Sequence, residues 1–247
     1  MGLKVEHLTG GYGAIPVLKD INFEVNDGEL VGLIGLNGAG KSTTIKHIIG
    51  LLNPMKGTCE IDGMTLRKDK EAYRKKIGFI PESPSLYEEL TLQEHIEVTA
   101  MAYDIDKEEA MRRAQPLLEM FRLDKKLDWF PTNFSKGMKQ KVMIVCAFLV
   151  NPSLYIIDEP FLGLDPIAID DLLQLMIKMK ASGASILMST HILATAEAFC
   201  DKFIVLHEGK VIAQGTLEEL QATLGQEGMH LDELYLSLTD RGREDNE

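Results

Sequence analysis

The segment that most constrains this chain is Gly35-Leu36-Asn37-Gly38-Ala39-Gly40-Lys41-Ser42, which fits the pattern G-x-x-x-x-G-K-[ST]. Chance supplies these four fixed positions in roughly one chain of this length in a hundred. Here the context argues against chance. The apolar run Leu30–Ile34 lies directly before the loop and reads as a strand buried on both faces. A helical pattern from Ser42 to Leu51 follows and is broken by Asn53-Pro54. Glycines at these places let consecutive backbone N–H groups turn toward one centre and form an anion nest. The positive end of the following helix aims at the same spot. Lys41 is positioned to reach the β- and γ-phosphates of a nucleotide, and Ser42 to ligate Mg²⁺.

A second element fits the first. Leu154–Ile157 is an apolar strand that delivers Asp158-Glu159-Pro160 at its end. Such a strand supplies Mg²⁺ coordination in P-loop enzymes, so Asp158 is the candidate metal ligand. Glu159 is placed to polarise an attacking water. Tyr12, in Gly10-Gly11-Tyr12-Gly13, offers a face on which a purine can stack, although a tyrosine among glycines in a loop is more often a simple packing residue.

The rest of the chain places these motifs in an α/β frame. Leu3–Leu8, Val17–Val25 and Cys59–Ile61 read as strands, with Asp27-Gly28 a hairpin turn signal and Asp62-Gly63 closing the third. Ile77–Ile80 is a further strand, stopped by Pro81 and Pro84. A helical block follows, from Leu92 to about Leu123 and again from an N-cap at Ser135 to Val150. Strands then return at 154–157, 185–189, 202–206 and 210–213, with helices at 169–180 and 193–200 between them. Strands alternating with helices imply a parallel sheet covered on both faces. Leu231, Leu234, Tyr235 and Leu238 form a docking stripe at helical spacing, and the terminal RGREDNE reads as frayed.

Composition narrows the function classes. The 247 residues carry 26 Lys and Arg against 38 Asp and Glu, a net charge of −12. That balance opposes a phosphate-backbone binder and direct adsorption to an anionic membrane. Three widely spaced cysteines, Cys59, Cys146 and Cys200, form no CxxC pair and read as reduced, buried thiols. The N-terminus lacks the apolar stretch of a signal peptide, and the longest uncharged run, 142–157, is too short to span a bilayer. His7, His47, His95, His207 and His230 have no ligand spacing and read as surface or packing residues. The Met-rich stretch 138–143 reads as a helix face against the core.

With these motifs in order across residues 3–220, the sequence resembles the ATP-binding subunit of an ABC transporter, and within that family the ATPase components of Ecs-type exporters. The resemblance implies a P-loop NTPase with a RecA-like parallel-sheet core, an antiparallel β subdomain and an inserted helical subdomain. It divides a single ATP-binding domain into a core at 1–87 and 151–222, a helical subdomain at 88–150, and a C-terminal docking helix and tail at 223–247. It implies that Gly35, Asn37, Gly38, Ala39, Gly40, Lys41, Ser42 and Thr43 bind ATP, with Tyr12 stacking on adenine. It assigns catalysis to Glu159, Lys41 and His191, the last matching the switch histidine after Met188-Ser189-Thr190. It assigns Mg²⁺ to Ser42, Asp158 and Glu82. Phe134-Ser135-Lys136-Gly137-Met138 occupies the signature position and Leu162–Asp165 the D-loop. Ser135, Gly137 and Asp165 are then nucleotide-contacting residues, and in this family the signature faces the ATP of the other subunit. The implied partners are a second ATP-binding subunit, head to tail, and a separate transmembrane permease that docks near 82–95. That arrangement places the chain at the cytoplasmic face of the cell membrane. No nucleic-acid partner is implied.

Three residues depart from the family pattern: Lys136 and Met138 in the signature, and Glu82 in place of the Q-loop glutamine. Glu82 adds a carboxylate beside Asp158 and Glu159, and among such close like charges one carboxyl should have a raised pKa unless the metal neutralises it; Glu82 either ligates Mg²⁺ directly and stays ionised, or takes a proton and mimics the donor of glutamine. The alternative function is a soluble ABC ATPase acting on nucleic acid or ribosomes. One cassette without sustained heptads between 42 and 135, and a negative charge, oppose it. A P-loop kinase leaves the signature helix and His191 unexplained.

Overall fold

The computed structural model describes the backbone of residues 2–244 and side chains as far as residue 239. Two sheets form the frame. Strands β1 (Leu3–Tyr12), β2 (Ile15–Val25), β4 (Lys56–Ile61) and β5 (Met64–Thr65) make an antiparallel sheet in the order β2-β1-β4-β5. Strands β3 (Leu30–Ile34), β6 (Ile77–Ile80), β7 (Leu154–Asp158), β8 (Ser185–Thr190), β9 (Lys202–His207) and β10 (Lys210–Gly215) make the larger sheet, in the order β10-β9-β3-β8-β7-β6. Its pairings are parallel except for β10, which returns antiparallel at the edge.

Every residue of β3, β7 and β8 is buried, which is why apolar residues follow one another without alternation in β3, at 154–157 and at 186–188. Successive side chains nevertheless feed opposite cores, because a strand alternates faces. Tyr155, Ile157, Ile186 and Met188 join the helical side, packing with α3 (Leu92–Ala102), α4 (Lys107–Met120), α5 (Lys136–Leu149) and α6 (Pro166–Ala181). Leu154, Ile156 and Leu187 join the other side, with α1 (Lys41–Ile48) and the antiparallel sheet. A third cluster joins Ile34, Phe203 and Val205 to α7 (Leu193–Phe199), α8 (Leu217–Leu224) and α9 (Leu231–Glu244). The expected stripe of Leu231, Leu234, Tyr235 and Leu238 lies in that cluster.

Several local readings are revised. Asp27-Gly28 turns the chain between the two sheets and closes no hairpin: β2 pairs with β1, while β3 takes β8 and β9 as parallel neighbours. A run buried on both faces finds its partners in the parallel sheet, whatever turn precedes it. The helical stretch 92–123 is two helices, broken where Asp104 adopts φ +54° and Asp106 caps α4. Two helices went unread, α2 (Lys70–Arg74) capped by Asp69, and α8, whose capping box pairs Thr216 with Glu219. Residues 241–244, expected to fray, continue α9, and 245–247 lie outside the described residues.

The cysteines are free, and burial pushes the Cys146 thiol up to about 11 and Cys59 to about 12. His47 and His95 are buried, while His7 and His230 are exposed and pair with Asp20 and Glu197. Among the described residues no helix is long and apolar enough to cross a membrane.

Candidate functional site

The strand-to-helix passage from β3 to α1 requires glycine at its tightest points. Gly40 sits at φ +114°, and a Cβ there would lie 2.8 Å from Leu18 Cδ2 and 2.9 Å from Leu206 Cδ2. At Gly35 a Cβ would lie 2.5 Å from the Leu206 carbonyl oxygen. The loop therefore runs too close to β9 for any side chain at either position. Gly40 is the N-cap of α1 and supplies no side-chain cap, and no acidic residue occupies the first turn. The N–H groups at that helix end thus have no capping side chain to accept them, which leaves an anion site.

A cavity of about 360 Å³ opens on this helix end. Tyr12, Asn37, Gly38, Gly40, Lys41, Ser42, Thr43, Glu82, Glu159 and His191 line it, so the cavity gathers most of the residues expected from sequence. Val17, Leu36 and Leu162 add apolar surface. Gly35 and Ala39 form the base of the loop; Ala39 is buried and its N–H donates to the Leu36 carbonyl at 3.1 Å.

At the centre, Lys41 Nζ donates to the Gly35 carbonyl at 2.7 Å and stands 3.5 Å from Glu159 Oε1. The other carboxylate oxygen of Glu159 lies 2.8 Å from His191 Nδ1 and accepts the His191 backbone N–H at 3.3 Å. Glu159 is thereby held between the loop lysine and the histidine after β8. Its backbone is fixed too: its N–H donates to both the carbonyl and Oγ of Ser189, and it sits in the left-handed region at φ +46°. A non-glycine residue held there is strained, and such strain concentrates at functional sites.

Asp158 is buried behind Ser42, and the Ser189 hydroxyl donates to it. Burial raises its pKa, and the charges of Glu82 and Glu159 raise it further, against hydrogen bonds from Ser189 and Ser42. Desolvation is the first cause of this rise. Glu82, by contrast, is exposed at the cavity rim. Tyr12 is half exposed, and Lys46 both donates to its hydroxyl at 3.1 Å and lies 5.3 Å from its ring centroid. Hydrogen bonds from Lys46 and then Thr43 lower the phenol pKa.

Three predicted residues lie away from this cavity. Ser135 caps α5, its Oγ accepting the Met138 N–H at 3.3 Å. Gly137 packs so closely on the D-loop that a Cβ would lie 2.4 Å from the Gly163 carbonyl oxygen. Asp165 caps α6 through the Ala168 N–H at 2.9 Å and pairs with Lys141 at 2.7 Å. The signature tip and the D-loop of one chain are therefore one packed unit, in which both oxygens of Asp165 are engaged.

Sequence reading missed two residues tied to this machinery. Gln140 is fully buried in α5 and donates to the Pro81 carbonyl at 3.1 Å, linking the signature helix to the segment that carries Glu82. Flanked by Lys139 and Lys141, it carried no signal of burial in the sequence. Ser189, which fixes both Asp158 and Glu159, precedes His191 by two positions.

Comparison with known proteins places the site in context. The ABC transporter family model matches residues 18–162. The ABC-type transporter ATP-binding protein EcsA of Bacillus subtilis (strain 168) is 61% identical over 244 residues, 98% of this chain and 99% of that protein. A solved structure of the ATP binding subunit of an ABC transporter superposes with a TM-score of 0.94 at 59% identity, covering 97% of this chain and all of the other. The dimeric, post-hydrolysis ATP-binding cassette MJ0796, bound to ADP and Pi, superposes with a TM-score of 0.78 at 29% identity, covering 87% and 98%.

Proposed function

The chain belongs to the ABC transporter family as an ATP-binding, ATP-hydrolysing subunit, and on that premise we propose that it works as a head-to-tail homodimer that drives a separate transmembrane permease in an exporter. Subunits of this family act as dimers with a transmembrane partner. In this reading the chain sits at the cytoplasmic face of the membrane, held there by the permease. The permease docks along 82–95, where Tyr87 presents 65% of its surface.

The observation that carries the proposal is the grip on Glu159 by Lys41 and His191 at an uncapped helix end. An arriving triphosphate offers Lys41 a stronger anion than either the Gly35 carbonyl or Glu159. Lys41 moves onto the β- and γ-phosphates, the α1 N–H groups receive the phosphate oxygens, and Tyr12 takes the adenine. Glu159 is then free to accept a proton from the attacking water. His191 donates toward the γ-phosphate. Ser135 and Gly137 serve the partner's nucleotide, which accounts for their distance from the cavity of their own chain.

Magnesium fits the donor set in this reading. Ser42, Asp158 and Glu82 offer hard oxygen atoms, and the raised proton affinity of Asp158 is what a neighbouring cation reverses. Among the described residues no three His, Cys, Asp or Glu side chains form a protein-only metal cage. This suits an ion that completes its shell with phosphate and water. Bound there, Mg²⁺ would neutralise charge on the phosphates.

Lys41→Ala tests the assignment of the loop. It removes the closest cation from a buried triphosphate, where charge-assisted hydrogen bonds are worth about 2–3 kcal/mol, so ATP affinity should fall at least thirtyfold, roughly. Unchanged affinity by calorimetry would refute the cradle.

A further inference from the structure

Tyr235 lies near the C-terminus, 199 residues from the phosphate loop, yet its hydroxyl accepts the Leu36 backbone N–H at 2.9 Å. The carbonyl of the same peptide group, Gly35 O, accepts Lys41 Nζ at 2.7 Å. One peptide plane at the entrance to the loop is thus gripped from both sides, by the catalytic lysine within the cavity and by the C-terminal helix outside it. We propose that Tyr235 is a positioning residue for ATP binding, which presets the phosphate loop and the resting perch of Lys41 through the Gly35–Leu36 peptide.

The surroundings make Tyr235 a fixed post. It is 4% exposed, in the cluster with Leu231, Leu234 and Leu238 of its own helix and Ile34, the last residue of β3. The start of its helix is pinned as well: Glu197 on α7 accepts the Leu231 N–H at 2.6 Å and lies 2.8 Å from His230 Nδ1. A hydroxyl at the end of a rigid ring on an anchored helix can hold a peptide plane that a loop of glycines cannot hold alone. Its effect on the nucleotide is preorganisation: a loop already set in its binding geometry loses less conformational freedom when phosphate arrives. Without the hydroxyl, the Leu36 N–H loses its partner, the peptide is free to rotate, and the Gly35 carbonyl that positions Lys41 rotates with it.

This inference rests on the loop being the phosphate cradle, which Lys41→Ala tests separately. The experiment is Tyr235→Phe in the full chain, which removes one oxygen and keeps the ring in its apolar seat. Loss of one neutral hydrogen bond should weaken ATP affinity about fivefold. The kcat at saturating ATP should stay within about twofold, because the hydroxyl touches neither water nor phosphate. Exchange of the Leu36 amide, followed by mass spectrometry or NMR, should speed up. Leu224→Ala, in the same cluster but on α8, serves as the packing control: it should lower the melting temperature and leave ATP affinity near wild type. Equal ATP affinity in Tyr235→Phe and wild type, or an equal loss in Leu224→Ala, would overturn the proposal. If Lys41→Ala abolishes binding while Tyr235→Phe has no effect, only the role of Tyr235 falls. If Tyr235→Phe does not fold, the wild-type chain still decides: without nucleotide, its Leu36 amide should exchange slowly, and exchange at an unprotected rate would refute the clamp.

Discussion

Replacing Glu159 with glutamine should do two opposite things, and the geometry gives a size to each. The Glu159 carboxylate faces Lys41 Nζ at 3.5 Å, with the two side chains only 10% and 7% exposed. Two unit charges at that separation attract by about 5 kcal/mol at an effective dielectric near 20. Desolvation cancels most of this in a buried pair. A surviving net of about 1.4 kcal/mol corresponds to a tenfold change in an equilibrium constant. The γ-phosphate must draw Lys41 out of that pair and then sit beside the same carboxylate, so glutamine should tighten ATP binding about tenfold. ADP lacks the γ-phosphate and should gain distinctly less. Hydrolysis should fall by about 10²–10⁴, the usual contribution of a positioned general base. The assay is equilibrium binding of ATP and ADP to wild type and Glu159→Gln at dilution, with single-turnover hydrolysis in parallel. ATP binding unchanged or weakened in the variant would show that the resting Lys41–Glu159 pair is no competitor for phosphate. Hydrolysis kept within about tenfold of wild type would remove Glu159 from the role of base.

Ser135→Arg should leave ATP binding to its own chain intact and abolish hydrolysis, since Ser135 lies away from its own cavity. Dimers pairing a Ser135→Arg chain with a Lys41→Ala chain, purified with two tags, should hydrolyse at a clearly lower rate than wild type; equal rates would reject a shared site. Gly137→Ala drives a methyl to within 2.4 Å of the Gly163 carbonyl oxygen and should cost about 1–3 kcal/mol in stability at the junction of signature and D-loop, read as a lower midpoint in urea. Glu82→Gln should shift the Mg²⁺ dependence of the ATPase to higher concentration if Glu82 helps hold the ion, and superimposable Mg²⁺ titrations would free it of that role.

The parts of this molecule legible in sequence are those set by short-range chemistry. A glycine loop between a buried strand and a helix, an apolar strand ending in Asp158-Glu159, and a serine N-cap before α5 each announce themselves within ten residues. The large sheet followed from its runs of apolar residues, since strands covered on both faces need no alternation. Asp27-Gly28 misled because a turn signal carries no information about which strand lies beyond it. What remained hidden were pairings of side chains with backbone across the fold: Gln140 to Pro81, Lys141 to Asp165 in the next segment, and Tyr235 to Leu36. Each depends on strand order and helix packing that only the assembled core fixes. The loop residues and Asp158-Glu159 were found because their motifs are contiguous, while Glu82, His191 and the role of Tyr12 came from the family resemblance; Gln140 and Tyr235 were missed, because their partners lie far away in the chain.

The segment from Glu159 to Asp165 has a consequence for inheritance and for mixing. It begins with the Glu159 carboxylate in the cavity, passes through Leu162 at the cavity wall and Gly163 against Gly137, and ends at the residue clamped by Lys141. In the proposed head-to-tail dimer, the carboxylate a subunit would use and the loop it would present to its partner are thus the two ends of one seven-residue strip, so damage to one end should reach the other. If such damage disables both sites of a pair, the activity of a population of randomly paired chains should fall as the square of its intact fraction. A defective copy expressed beside a sound one would be dominant, silencing the healthy chains it captures.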